Sequence, residues 1–357
     1  MARRNTVTNH EGFSRRNLLK IAGAAGIAGL AGCTGSDDGG LQAVETDDEF
    51  AQTIQDHPGA IHTEVEPYGW EQDVTGVTDS VDSWALAAQW AFGPEVSADA
   101  VYEVCRLALE HDDTIRESDP TTLDHTPESM TETVIEDVEV HPGAADFFED
   151  EGVWDDSWTR GEADDYDGGE ETVTIGATSS GSSSQQAAQA YARAASNHSD
   201  TISIDPQVTG GWTANLYEFD GDDIPGMAVD NNSLAKAVND EDPFDEDPVD
   251  TLPMQSIMFT SLEIYWVALE DSGIEHIDDL RDGGHTIYPI QPGFGTRLLT
   301  EDILQDAGLW EPNERYNGDT GDVPGAVEEG RVDALCIYGA NGVELSSWVQ
   351  EVDVRSG

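Results

Sequence analysis

T-V-T-I-G-A (residues 172–177), T-S-S-G-S-S-S (178–184) and the small-residue run Q-Q-A-A-Q-A-Y-A-R-A-A (185–195) decide the fold class. A β-branched run, a glycine-bearing turn and an alanine-rich helical stretch make one half of a β-α-β unit. The alternation continues downstream, with strands predicted at 201–208, 227–229, 285–290 and 332–338 and helices at 233–238, 296–307 and 323–329. Such alternation predicts an α/β fold with largely parallel sheets. Upstream, Ser97 is placed to cap a helix with Val101, Val104, Cys105 and Ala108 on one face, and 46–54 reads as another helix. The run D-D-S-W-T-R-G-E-A-D-D-Y-D-G-G-E-E (155–171) is charged, glycine-rich and aperiodic, and reads as a linker. A second acidic stretch, 240–250, reads as a surface loop.

The chain has 357 residues, 74 acidic and 15 basic, a formal charge of −59, and its only lysines are Lys20 and Lys236. That balance argues against nucleic acid as a partner, because phosphate binding draws on clustered Lys and Arg. Nine each of Trp, Tyr and Phe separate it from acidic disordered chains, which are poor in aromatics. Uniform acidity with almost no lysine reads as adaptation to molar salt. The Debye length shrinks from about 10 Å at 0.1 M to about 3 Å at 1 M, which damps self-repulsion and lets an anionic ligand approach.

S-R-R-N-L-L-K (14–20) precedes an apolar run over 21–31 and reads as a twin-arginine export signal. The run is too short for a bilayer span, which needs about 20 apolar residues. It ends in L-A-G-C (30–33), similar to the lipobox of bacterial-type lipoproteins. The expectation is a signal peptide over 1–32, lipid attachment at Cys33, a tether over 33–43, and a protein anchored on the outer face of the cytoplasmic membrane. An uncleaved anchor is the alternative. Removing 1–32 leaves 10 basic and 73 acidic residues, a formal −63. Cys105 and Cys336 sit in apolar runs and are expected as buried free thiols without a structural disulfide.

Several segments together resemble the TAXI solute receptors, the extracytoplasmic binding proteins of one class of ion-coupled TRAP transporters. They are I-G-A-T-S-S-G-S (175–182), V-T-G-G-W-T-A-N-L (208–216), M-A-V-D-N-N-S-L (227–234), E-D-S-G-I-E-H-I-D-D-L-R-D-G (270–283), Q-P-G-F-G-T-R (291–297) and G-A-V-E-E-G-R-V-D-A-L (325–335). The order is changed: residues 44–152, ending in E-V-H-P-G-A-A-D-F-F-E-D-E-G (139–152), resemble the family's C-terminal part, and 172–357 its N-terminal part. The resemblance implies a two-lobed fold of the type II periplasmic-binding-protein kind, circularly permuted, with 153–171 joining the old termini and Leu41 continuing from 352–356. Permutation is tolerated where termini lie close together at a surface.

The resemblance also implies a cleft that closes on a small organic anion, such as a glutamate-like amino acid or a dicarboxylate, and delivery to TRAP permease subunits. Gly293, Gly295, Thr296 and Arg297 open a helix whose free N–H groups and dipole attract a carboxylate. Ser179, Ser180, Gly181 and Ser182 offer the same chemistry from the other lobe, where the family often has aromatic residues after the loop and this chain has Ser183, Ser184 and Gln185. Asn231 and Asn232 follow a strand, and Tyr68, Trp70 and Tyr338 are candidate cleft walls. Each has a plainer reading beside it: a turn, a helix cap or core packing. S-L-A-K (233–236) has the spacing of a serine nucleophile and lysine but no K-T-G beside it, and the histidines form no H-E-x-x-H. No catalytic residue, metal or cofactor is expected. Two rival readings remain, a signalling receptor of the same fold and a secreted hydrolase.

Haloadaptation has a direct test. The apparent Tm should rise as KCl is raised from about 0.2 M to about 3 M, a range in which screening becomes nearly complete; a flat or falling Tm would remove the salt argument.

Overall fold

The computed structural model describes residues 40–57, 59–72, 74–76, 80–179 and 182–356. The export signal, Cys33, Ser180 and Gly181 lie outside the described residues. β1 (Leu41–Ala43), α1 (Asp48–Asp56), β2 (Ile61–Val65) and β3 (Val81–Phe92) are followed by α2 (Ala98–Glu110), α3 (Asp112–Ser118) and α4 (Pro142–Glu151). Then come β4 (Glu171–Thr178), α5 (Ser183–His198), β5 (Ile202–Val208), α6 (Trp212–Asp220), β6 (Gly226–Asp230), α7 (Asn231–Val238) and β7 (Met254–Leu269). The remainder holds α8 (Ile277–Asp282), β8 (Thr286–Tyr288), α9 (Gly295–Asp306), β9 (Glu314–Arg315), α10 (Val323–Glu328), β10 (Ala334–Ala340), β11 (Glu344–Leu345) and α11 (Ser347–Ser356).

The fold is mixed α/β. One sheet of eleven strands runs β5-β4-β6-β3-β7-β10-β8-β9, with β2 on β3, β1 on β7 and β11 on β10. Its flanks are parallel, β4 with β5 and β6 on one side and β8 with β9 and β10 on the other. Its centre is antiparallel, since β3 pairs with both β6 and β7, and β7 pairs with β10. The expectation of largely parallel sheets therefore holds for the flanks alone. What corrects it is the pair of long central strands, β3 and β7, both covered on two faces. Along β7, Ile264, Trp266 and Ala268 enter one core cluster while Tyr265 and Val267 enter another, so apolar residues run on without the alternation that marks a half-buried strand.

Side chains reinforce the centre. Trp90 on β3 stacks on Phe259 of β7 with ring centroids 3.8 Å apart and lies edge-on to Tyr191 of α5 at 5.5 Å. The buried Gln255 amide donates to Ile135 O (2.9 Å) and Val138 O (2.9 Å) and accepts from Ile135 N–H (2.8 Å), tying a loop across β7. Cys105 and Cys336 are buried free thiols, as expected.

The H-P-G-A segment is an architectural joint. His141 caps α4, its Nδ1 accepting from Gly143 N–H at 3.3 Å while Nε2–H donates to Val96 O at 3.0 Å. Burial pushes this imidazole down to about 4, which keeps it neutral. Pro142 occupies the first helical position, where its missing N–H costs nothing. Ser97 caps α2 as expected, accepting from Ala100 N–H (3.2 Å), and its hydroxyl donates to Glu171 (2.5 Å).

The segment 153–170 is irregular yet docked. Trp158 packs edge-on to Trp154 and Phe148, and Gly161 N–H donates to Val140 O at 2.9 Å. Toward the two ends of the described chain, the Gln72 carboxamide accepts from Leu41 N–H (3.0 Å) and donates to Asp353 O (3.0 Å) and Ser356 Oγ (3.1 Å), so residues 41 and 356 meet on one side chain.

Gly143 has no room for a side chain: a Cβ there would lie 2.1 Å from Ala98 O and 2.7 Å from Tyr102 N, both backbone atoms of α2. Gly143→Ala should therefore destabilise the fold by about 3 kcal/mol, near the upper end for overpacking. Chemical denaturation in molar KCl measures it, and a loss below about 0.5 kcal/mol, the size of an ordinary surface change, would contradict the close approach.

Candidate functional site

A narrow cleft gathers residues from both parallel flanks and from β7 between them. One wall is the turn after β4. Ser182 caps α5, its hydroxyl accepting from Gln185 N–H at 3.2 Å and meeting the Thr178 hydroxyl. Serine forms this cap because its short side chain reaches the first-turn N–H groups left free by the helix. Thr178, Ser179, Ser182, Ser183 and Ser184 line this wall, and the first turn of a 16-residue helix points at it.

The opposite wall is the start of α9, where Phe294, Gly295 and Thr296 face the cleft. Phe294 occupies the cap position and has no polar group to cap with, so the first N–H groups of this helix have no side-chain acceptor there. Thr296 is 2 % exposed, and its hydroxyl has no hydrogen-bond partner among the described residues. Gly211, at φ +141°, and Trp212 enter from the start of α6, and the Trp212 indole donates to Ser184 Oγ at 2.9 Å. Leu262 of β7 and Tyr338 of β10 complete the lining.

Behind Gly295 lies Asp230, fully buried. Its Oδ1 caps α7 by accepting from Ser233 N–H at 2.7 Å, while Oδ2 has no hydrogen-bond partner among the described residues. A Cβ at position 295 would fall 2.3 Å from that Oδ2 and 3.0 Å from the Trp212 ring, so only glycine fits. Burial pushes the Asp230 carboxyl up to about 6, against the hydrogen bonds from Ser233 that favour its charge.

The residues singled out in the sequence divide clearly. Ser179, Ser182, Gly295, Thr296 and Tyr338 come together in the cleft. Gly293, at φ +89°, supplies the turn before α9 and its carbonyl approaches Gly211. Arg297 does not contribute a ligand donor: its guanidinium donates to Ile290 O (2.8 Å) and Asn317 Oδ1 (3.2 Å), pairs with Glu301 (3.2 Å) and lies 5.0 Å from the Trp310 ring centroid. Its charge and donors are committed to tying α9 to the segment before it and to the loop after β9.

Tyr68 donates to Glu263 at 3.0 Å instead of lining the cleft, and its ring covers Gly339 beside Tyr338. Trp70 donates to Tyr265 Oη at 3.1 Å in the core under α11. Asn231 accepts from Ala87 N–H at 3.3 Å, fastening α7 to β3. In S-L-A-K, the Lys236 ammonium lies 2.7 Å from Asp302 and Ser233 Oγ meets Thr213 Oγ1 at 3.3 Å, so the two ends of the motif have separate partners.

Trp212, Leu262 and Phe294 were not anticipated as lining residues. G-G-W (210–212) carried a usable signal, a positive-φ glycine starting a helix with an aromatic; Leu262, inside a continuous apolar strand, carried none. Where the resemblance leads one to expect an aromatic after the first loop, the indole of Trp212 stands against Ser184 instead. No protein-family model matches the chain, and no curated protein aligns with it significantly.

The pH dependence of Asp230 has a defined sign. Its folded-state pKa lies above the ordinary 3.8, so the protonated form is favoured by folding and that contribution, complete below 3.8, is lost as pH rises through about 6. Asp230→Asn keeps a cap acceptor and removes the titration. The variant should gain on the parent by up to about 3 kcal/mol between pH 4 and pH 8, at about 1.4 kcal/mol per pKa unit. Parallel denaturation curves at both pH values check this, and a constant difference would mean that Asp230 is not buried as a carboxylate.

Proposed function

We propose that this protein is an extracytoplasmic solute receptor, lipid-anchored through Cys33 after twin-arginine export, that captures a small organic anion for an ion-coupled permease of the TRAP type. The observation that carries the reading is the cleft itself. Turns from opposite flanks of the sheet, one at Ser179 and Ser182 and the other at Gly295 and Thr296, face the same space together with Tyr338. Converging helix N-termini are suited to an anion, and a cleft between β-α units is where α/β folds hold small ligands.

The reading includes two lobes, one around β4, β5 and β6 and one around β8, β9 and β10, linked by β3 and β7. Ligand favours the closed arrangement because only there do both turns contact it. It also includes circular permutation. Support comes from β3, which belongs to the segment 44–152 yet lies between β6 and β7, and from Gln72, which holds Leu41 and Ser356 together. Binding, with no chemical step, is the role assigned to the cleft.

Thermal unfolding of residues 34–357 in molar KCl, read against amino acids, small carboxylates and sugars, tests the proposal. A carboxylate at about 100 times its Kd should add about 2.7 kcal/mol. Stabilisation by sugars and by no carboxylate, or by nothing in the panel, would overturn it.

A further inference from the structure

The cleft is polar at one end and apolar at the other, and it lacks a cation. The α5 end offers Ser182, Ser183 and Ser184 with the first turn of a 16-residue helix. Across from it stands the buried, unpartnered hydroxyl of Thr296. The remaining wall is Trp212, Leu262, Phe294 and Tyr338. Among the described lining residues none is Lys, Arg or His, and the nearest guanidinium in sequence, Arg297, is consumed by Ile290, Asn317 and Glu301. Behind the α9 end lies the buried Asp230, whose Oδ2 abuts Gly295.

We infer that the ligand is a small monocarboxylate with an apolar body, its carboxylate held by the first turn of α5 and the Thr296 hydroxyl and its body against Trp212, Leu262 and Phe294. The inference rests on the receptor reading above and narrows the ligand class that the sequence resemblance implies. A dicarboxylate would bring a second negative charge to an apolar wall with a buried carboxyl behind it and no counter-charge. A desolvated, unpaired charge is among the costliest groups to bury. A zwitterionic amino acid meets a similar obstacle, because no carboxylate lines the described part of the cleft to receive its ammonium. One carboxylate is matched by the first turn of α5 and the spare Thr296 hydroxyl, while at the other helix terminus, the start of α9, the buried Asp230 carboxyl behind Gly295 opposes a second negative charge.

Isothermal titration in molar KCl of acetate, butanoate and 3-methylbutanoate against succinate and glutamate decides it. The branched or four-carbon monocarboxylates should bind at least about tenfold more tightly than succinate or glutamate, tenfold being 1.4 kcal/mol. Thr296→Val should weaken monocarboxylate binding by about tenfold without lowering the ligand-free Tm, since the hydroxyl it removes has no protein partner. Equal or tighter binding of succinate or glutamate overturns the inference and leaves the receptor reading standing. A cooperatively folding protein that binds no carboxylate overturns both. Monocarboxylate binding unaffected by Thr296→Val overturns the placement of the carboxylate.

Discussion

The pairing of β3 with β7 is the constraint from which the rest of the architecture follows. Both strands are buried on two faces, so their backbone donors and acceptors must find protein partners along both edges. β7 alone is 16 residues long. Along one edge β3 serves residues 254–264 and β1 serves 267–269. Along the other β10 serves 262–268, and loops complete the first half: Glu139 O accepts from Gln255 N–H, His141 N–H donates to Gln255 O, and Leu123 N–H donates to Phe259 O, each at 2.8 Å. Segments from the whole length of the chain are therefore recruited to one strand. The parallel flanks join it through β3 on one side and β10 on the other, and Leu262 sits where β7 overlaps both partners. That overlap puts a β7 side chain at the floor of the cleft.

Charge organises the molecule differently from packing. In molar salt, exposed ion pairs are screened and contribute little, whereas half-buried ones keep their strength. Lys236, one of the chain's two lysines, is placed in such a pair with Asp302, joining α7 to α9, and His57 approaches the same carboxylate at 3.6 Å. Burial works against the charge of Asp302, but His57 and Lys236 together hold its carboxyl below the ordinary range. Arg281 similarly joins α8 to Asp47, the cap of α1. With so few cations, those used here fasten elements to one another, and the cleft is left to helix termini and hydroxyls.

What was legible in the sequence was what is determined locally. The turn between β4 and α5, the Ser97 cap and the strands of both flanks depend on residues adjacent in the chain, and each has a periodicity or cap signature. β3 and β7 lacked one. A strand covered on both faces loses its alternation, and β3, with Ala85, Ala87, Ala88 and Ala91, has a composition that favours helix in isolation. The site was half legible for the same reason. Ser179, Ser182, Gly295 and Thr296, short residues beside strand ends and helix starts, line the cleft, but the destination of a long side chain is set by tertiary neighbours. Arg297 turns to Asn317 and Trp310, and Tyr68 to Glu263; neither choice is written within a few residues of the side chain that makes it.

The proposed permutation and anchor together set where a tether would enter the fold. Gly40 O accepts from Glu270 N–H at 2.9 Å, and Leu41 pairs with Leu269, so the chain arrives at the C-terminal end of β7. Leu262, at the floor of the cleft, is seven residues back along the same strand, about 23 Å at the usual rise of a β-strand. An attachment there leaves the cleft and the turns that line it clear of the tether. The segment 153–170 is pinned by Trp154, Trp158 and Gly161, so this connection adds little slack between the elements it joins. Both junctions of the proposed permutation are held by specific contacts, Gln72 at one and the tryptophan pair at the other. Contacts of that kind are expected when a permuted order has been retained as a folded protein, because a loose junction would give local opening an entry point into the core.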